Sequence, residues 1–214
     1  MMAAGLVWMC AFQFFIAQVV TQLSWRTPFS LSTNYISDLG NTACANYPIG
    51  GDAYVCSPLH AVMNLSFFMQ GVIIIVGTVL VWRALRTGWA RISVTVLLVL
   101  TGIGMLGVGL FPENETNNAH VLAAALQFIT GNLSLILVGL MRVLRASNPA
   151  YLIVSVVLGV TGLTATALFP YGYDLALGIG GMERVAAYTL PLWLMGTGIL
   201  LIRNANKQVY ECGS

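Results

Sequence analysis

Six uninterrupted apolar runs divide this chain, over about residues 3–24, 59–82, 92–111, 120–141, 150–169 and 185–202. A helix rises ~1.5 Å per residue and the hydrocarbon core of a bilayer is ~30 Å thick, so about 20 apolar residues make one crossing. The runs are continuous and lack the polar/apolar alternation of a barrel strand, which selects helices. The sequence therefore predicts an all-α integral membrane protein. It reads as one transmembrane domain spanning residues 1–214, folded as a six-helix bundle. Charged residues are only 7% of the chain and hydrophobic ones 58%. An ordinary soluble domain carries about 25% charged residues, so a water-facing surface cannot be assembled here. The first run has neither a basic stretch ahead of it nor a small-residue cleavage site, and reads as a retained helix.

Arginine and lysine set the expected orientation. Arg83, Arg86 and Arg91 lie between runs two and three, Arg142 and Arg145 between four and five, and Arg203 and Lys207 after six. The other inter-run segments hold only Arg26 and Arg184. The positive-inside rule places both termini and the short basic loops in the cytoplasm, giving a multi-pass protein of the cell (inner or plasma) membrane. Asp38, Asp52, Glu113, Glu115, Asp174 and Glu183 fall on the opposite side, with Glu211 the lone inner acid. The scattered basic residues mark topology, so nucleic acid is not an expected partner. No run contains a lysine, which excludes a retinal Schiff base.

The first outer loop, about residues 25–58, is long for a segment without regular structure, and loops beyond about 12–15 residues are usually functional. It carries Asn34-Tyr35-Ile36-Ser37-Asp38-Leu39-Gly40-Asn41 and then Cys44 and Cys56. On an oxidising side of the membrane these two cysteines pair as a disulfide; reduced thiols are the alternative, and their spacing is not that of a zinc site. Ser57-Pro58 starts the second helix. His60, Asn64, Phe67 and Gly71 follow at steps of four, three and four, which is one helix face. An imidazole and an amide are poorly placed in lipid, so this face is expected to look into the bundle. The second of the chain's two histidines, His120, also begins an apolar run, and Gln127 lies further along that run.

Gly102-Ile103-Gly104-Met105-Leu106-Gly107 spells a dinucleotide-binding fingerprint. That motif works by turning a strand into a helix, whereas this copy lies inside a membrane run. Close helix packing is the better account of its glycines. Runs three and five both end in Leu-Phe-Pro, and Phe68/Gly71, Phe128/Gly131 and Trp193/Gly196 recur at equal spacing in runs two, four and six. This pattern predicts three degenerate helical hairpins.

Taken together, Tyr35-Ile36-Ser37-Asp38-Leu39-Gly40, the His60/Asn64 helix start, Gly107-Val108-Gly109-Leu110-Phe111-Pro112 and His120 resemble the membrane-protein family called domain of unknown function 998. The resemblance spans about residues 5–203, and the cysteine-bearing insert is similar to its actinobacterial branch. It implies six membrane helices and a bacterial or archaeal origin, and no particular activity. A more distant likeness is to the Frag1/DRAM/Sfk1 membrane proteins.

The candidate site gathers Ser37, Asp38, His60, Asn64, Glu113, His120, Gln127, Tyr173, Asp174, Glu183 and Arg184 toward the outer face. Ionisable groups at membrane depth are costly unless paired, so they mark function or mutual pairing. Three readings stay open. In the first, the groups only pin the long loop to the bundle. In the second, Asp38, His60 and His120 are catalytic in a hydrolase-like enzyme acting on a lipid or lipid-linked substrate, with an Asp–His pair as general base. The same three residues could instead hold a divalent metal such as zinc as cofactor. In the third, the protein binds or transports a lipid or small molecule, or is a subunit of a membrane complex. Membrane lipids are the expected partners, alongside a homo-oligomer or a larger complex.

Overall fold

The computed structural model of the chain describes residues 1–47, 53–144 and 148–213. Asp52 and Arg145, two of the charges on which the expected orientation rests, lie outside the described residues. Six helices are long and apolar enough to cross a membrane: α1 (Met2–Leu23), α2 (His60–Ala84), α3 (Trp89–Leu110), α4 (Asn117–Met141), α5 (Pro149–Tyr171) and α6 (Ile179–Lys207). α6 continues as helix to Gly213. The only strands among the described residues are β1 (Ala45–Tyr47) and β2 (Ala53–Val55), an antiparallel pair in the first loop with Ala45 opposite Val55.

The apolar runs become helices at nearly their expected bounds. The exception is α6, which begins at Ile179, ahead of the apolar run that starts near 185. Its first turns hold Gly180, Gly181, Glu183 and Arg184. Hydropathy discounts these residues, but they are helical because the first loop covers them.

Each helix packs on its neighbour in sequence, α6 packs back on α1, and α4 also touches α6. The six therefore form a closed ring. Trp8, Phe14, Met63, Ile74, Leu98, Leu135, Leu194 and Leu201 fill its centre, while Leu23, Leu65, Leu122, Leu140 and Ile153 face outward. Apolar surface on both sides suits a bundle whose solvent is lipid. The described parts of the long loop 25–58 and the connections 111–116 and 172–178 gather at one end of the ring, called here the cap end. At the opposite end the two short loops meet, with Leu85 and Leu144 bridged antiparallel.

Without water between helices, association depends on close packing and on polar contacts. Both operate here. A Cβ on Gly102 would stand 2.9 Å from the Gly71 carbonyl oxygen of α2, and one on Gly104 would stand 2.7 Å from the Ala123 oxygen of α4. The fingerprint-like glycines thus seat α3 between its two neighbours, inside a helix, as packing requires. Polar pairs sit at mid-depth: Gln13 Nε2 donates to Gln70 Oε1 at 3.2 Å and to the Ser66 oxygen at 3.1 Å, and Thr189 Oγ1 donates to Asn132 Oδ1 at 2.7 Å. The three repeated glycines meet different surroundings. A Cβ on Gly71 would meet backbone at 2.6 Å, one on Gly131 would meet side chains at 3.2 Å, and one on Gly196 would meet nothing within 4 Å. Their equal spacing does not become an equal contact.

Candidate functional site

The first loop is stitched across the cap end by side chains from three other elements. From α6, Glu183 accepts the Ile36 backbone N–H and, at 2.8 Å, the Ser37 hydroxyl. Its neighbour Arg184 sends Nη1 to the carbonyl oxygens of Leu31, Asn34 and Gly180 at 2.9, 2.7 and 2.8 Å. From α2, Asn64 Nδ2 donates to the Gly40 oxygen at 2.8 Å. From the α3–α4 connection, Asn114 Oδ1 accepts the Thr42 N–H at 3.0 Å and Glu115 accepts the Thr42 hydroxyl at 2.6 Å. Within the loop, Ser57 Oγ donates to the Leu39 oxygen at 2.7 Å, and Cys44 and Cys56 form the expected disulfide. The approach of loop to helix is very close: Gly178, at φ +74°, would place a Cβ 2.2 Å from the Ser32 oxygen. Only glycine fits there.

The two histidines take parallel local roles. Pro112 ends α3 and leaves the Phe111 carbonyl without an intrahelical donor. His120 Nδ1 lies 2.8 Å from that oxygen, and His60 Nδ1 lies 3.0 Å from the Ser57 oxygen. A carbonyl can only accept, so each Nδ1 carries the proton and, in a neutral ring, Nε2 is left as an acceptor. Asp38 turns to its own loop, accepting the Tyr35 N–H at 2.9 Å and the Asn34 amide at 3.4 Å. Asp38, His60 and His120 are thus engaged by three different backbone partners rather than by one another. Among the described residues no group of three or more His, Cys, Asp or Glu stands close enough to hold a metal ion. Tyr173 is 64% exposed, and Asp174 closes only a local turn by accepting the Ala176 N–H at 3.1 Å.

What the fold does bring together is a cavity of about 610 Å³ beneath the loop, between α4, α5 and the start of α6. Tyr35, Ser37, Glu113, His120 and Glu183 form its polar roof, and Ala124, Ala125, Phe128, Ala167 and Phe169 are among its apolar walls. Val121, Ala125 and Ile129, four residues apart along α4, line one side. Val121 and Ile129 are also 53% and 43% exposed on the outside of the ring, so the cavity communicates with the lateral surface between α4 and α5. A second, much smaller void of about 30 Å³ shares Ser37, Glu183, Ala124 and Phe128 and reaches Gln70 and Gln127. Gln70 is buried and its Nε2 lacks a protein partner.

Burial sets the electrostatics of the roof. It lifts the Glu113 carboxyl to about 8 from an ordinary 4.5, helped by the nearby carboxylates of Asp38 and Glu183. Glu113 Oε2 is buried without a hydrogen-bond partner, as suits an acid that is mainly protonated at neutral pH. Burial also raises Asp38, while the Tyr35 N–H, the Asn34 amide and Arg184 pull it back. The Tyr35 phenol rises to about 12 by burial and by the surrounding Glu183, Glu113 and Asp38 charges. Tyr35 therefore stays a hydrogen-bond donor throughout the physiological range.

Sequence reasoning reached Ser37, Glu113, His120 and Glu183 of the large cavity, and Gln127 of the small void. It missed Tyr35, Thr166, Phe169 and Tyr171 as lining residues. Two signals pointed at them: Tyr35 opens the Tyr-Ile-Ser-Asp stretch, and Phe169 sits in the repeated Leu-Phe-Pro.

No curated protein and no solved structure matches the chain. The model of one family, described as a protein of unknown function and designated DUF998, matches residues 9–200. That match takes in the second to fifth membrane-length helices, most of the first and sixth, the stitched loop and the cavity, and the chain belongs to this family.

Proposed function

We propose that the protein binds a membrane amphiphile, a lipid or a lipid-linked molecule, in the cavity between α4 and α5. One observation carries this: the cavity is polar at its roof, apolar along its walls and continuous with the lipid-facing surface. Apolar burial supplies about 25 cal/mol per Å², and a few placed polar groups fix orientation, the usual division of labour in a ligand site. The cap end is the extracytoplasmic end, because Arg83, Arg86, Arg91, Arg142, Arg203 and Lys207 all lie toward the other. The head of the ligand thus meets Tyr35, Ser37, Glu113 and His120 near the outer surface of the cell membrane, and its chains lie along Val121, Ala125 and Ile129.

A hydrolytic function is the second reading, favoured by Ser37. Its hydroxyl donates to Glu183 at 2.8 Å and lines the cavity with His120. A hydroxyl held by a carboxylate, in a cavity that also holds an imidazole, supplies the group types of an activated nucleophile. His60 and Asp38 line neither cavity and act through the loop instead.

Native mass spectrometry of the protein purified in mild detergent tests binding. The wild type should retain an amphiphile that Ala125→Trp, which fills the cavity from an apolar wall, loses at unchanged thermal stability. Equal retention by both proteins would overturn the assignment. If Ser37→Ala converts a cleaved bound species into an intact one, hydrolysis is favoured; an identical ligand mass in both leaves binding alone.

A further inference from the structure

We infer that the cavity selects an amphiphile with an uncharged, hydroxyl-bearing head, of the glycerol or sugar type, against one with an anionic phosphate head. This rests on the amphiphile-binding reading above and adds the chemistry of the head.

Among the described residues that line the cavity there is no lysine or arginine, and two are glutamates. Phosphate recognition ordinarily uses Arg, Lys or a row of backbone N–H groups at a helix start. None of these is offered here. The nearest cation in sequence, Arg184, has Nη1 committed to the Leu31, Asn34 and Gly180 carbonyls and its guanidinium over the Phe29 ring at 5.5 Å, with Nε and Nη2 buried and unpartnered. It is not among the residues lining the cavity. A phosphate would therefore meet carboxyls without a compensating charge.

The same roof is poorly suited to an ammonium. The Glu183 carboxylate already accepts from Ile36 and Ser37. Glu113, lifted to about 8, is mainly neutral at pH 7. No free carboxylate is left for a cation. What remains is a mixed set: the Tyr35 phenol and the protonated Glu113 carboxyl with its unpartnered Oε2 can donate, while the Ser37 and Thr166 oxygens, whose hydrogens go to Glu183 and Gly162, and His120 Nε2 can accept. Vicinal hydroxyls offer donors and acceptors at short spacing and match such a set without bringing charge. Phe169 and Tyr171 add aromatic surface beside them for the C–H faces of a polyol.

The test is a binding series on full-length protein at pH 7, read by native mass spectrometry. Four dioleoyl probes share one tail: diacylglycerol, monoglucosyl diacylglycerol, phosphatidic acid and an ammonium-headed analogue. The neutral pair should bind at least about tenfold more tightly than phosphatidic acid and the ammonium lipid, about 1.4 kcal/mol. Thr166→Lys, which puts a cation in the lining, should shift the preference toward phosphatidic acid. Binding of phosphatidic acid or the ammonium lipid as tight as that of the neutral probes would overturn the head-group assignment while leaving amphiphile binding intact. Failure of every probe to bind would overturn both.

Discussion

Glu113 gives the most quantitative test of how the cap end is built. Its carboxyl sits at about 8 in the folded protein, raised first by burial and then by Asp38 and Glu183, against an ordinary 4.5. Below pH 4.5 the folded and unfolded chains both hold this proton, and Glu113 costs nothing. Between 4.5 and about 8 only the folded chain holds it, so stability falls as pH rises and levels off above that window. A separation from 4.5 to about 8 corresponds to about 5 kcal/mol at ~1.4 kcal/mol per unit. Glu113 is partly exposed and its cavity reaches the surface, so solvent screening reduces this to about 2–3 kcal/mol. Glu113→Gln keeps the shape and removes the titration. Thermal unfolding in detergent should show the variant and the wild type alike near pH 5. At pH 9 the variant should be the more stable by about 5–10 °C. Tyr35, His120 and Glu183, which line the same cavity, and Asp38, whose charge acts on Glu113, are present in both proteins, so the difference between the two curves reports Glu113. Parallel curves from pH 5 to pH 9 would refute a buried, proton-holding Glu113.

Other perturbations test the neighbouring contacts. Glu183→Leu removes two hydrogen bonds to a carboxylate, each about 1.5–3 kcal/mol, and should expose the first loop to limited proteolysis; Glu183→Gln, which keeps one acceptor for the Ile36 N–H, should cost less than half as much. Replacing Cys44 and Cys56 by serine removes a short covalent loop, a change on the order of 3 kcal/mol; alkylation mass of the wild type should show these two thiols only after reduction. Gly104→Val forces a side chain against the Ala123 carbonyl, 2.7 Å from where its Cβ would stand, and should cost about 1–3 kcal/mol or more of thermal stability; an unchanged melting curve would contradict the α3–α4 packing. Gln70→Met separates a hydrated from a dry small void. The variant should be destabilised if water bonded to Gln70 Nε2 is lost, and neutral or stabilised if that donor was simply unsatisfied.

The legible part of this protein is what lipid dictates in one dimension. Twenty apolar residues are the same signal wherever they occur, so five of the six helices begin and end nearly where hydropathy puts them. The sixth starts early because Glu183 and Arg184, polar in any window, are satisfied by backbone groups of residues 31–36, some 147 to 153 positions away. No local pattern carries that information. The cysteine pair was legible because it lies within one loop. Asp38, His60 and His120 each find a backbone partner within nine residues, which no spacing rule for side-chain clusters takes into account. The cavity itself was invisible, since it is made by what α4 and α5 leave between them, with alanines at 124, 125 and 167. A gap has no residue to announce it. Its polar half could be read from Ser37, Glu113, His120 and Glu183, because charge at membrane depth is rare enough to stand out.

Photolabelling addresses the central claim most directly. A diacylglycerol with a diazirine in one acyl chain, added to the purified protein and irradiated, should label α4 at 121–129 and α5 at 166–170, and Ala125→Trp should abolish that labelling. Labels spread over outward-facing residues such as Leu65, Leu122 and Leu140, without enrichment at the cavity and unchanged in Ala125→Trp, would contradict an amphiphile site between these helices.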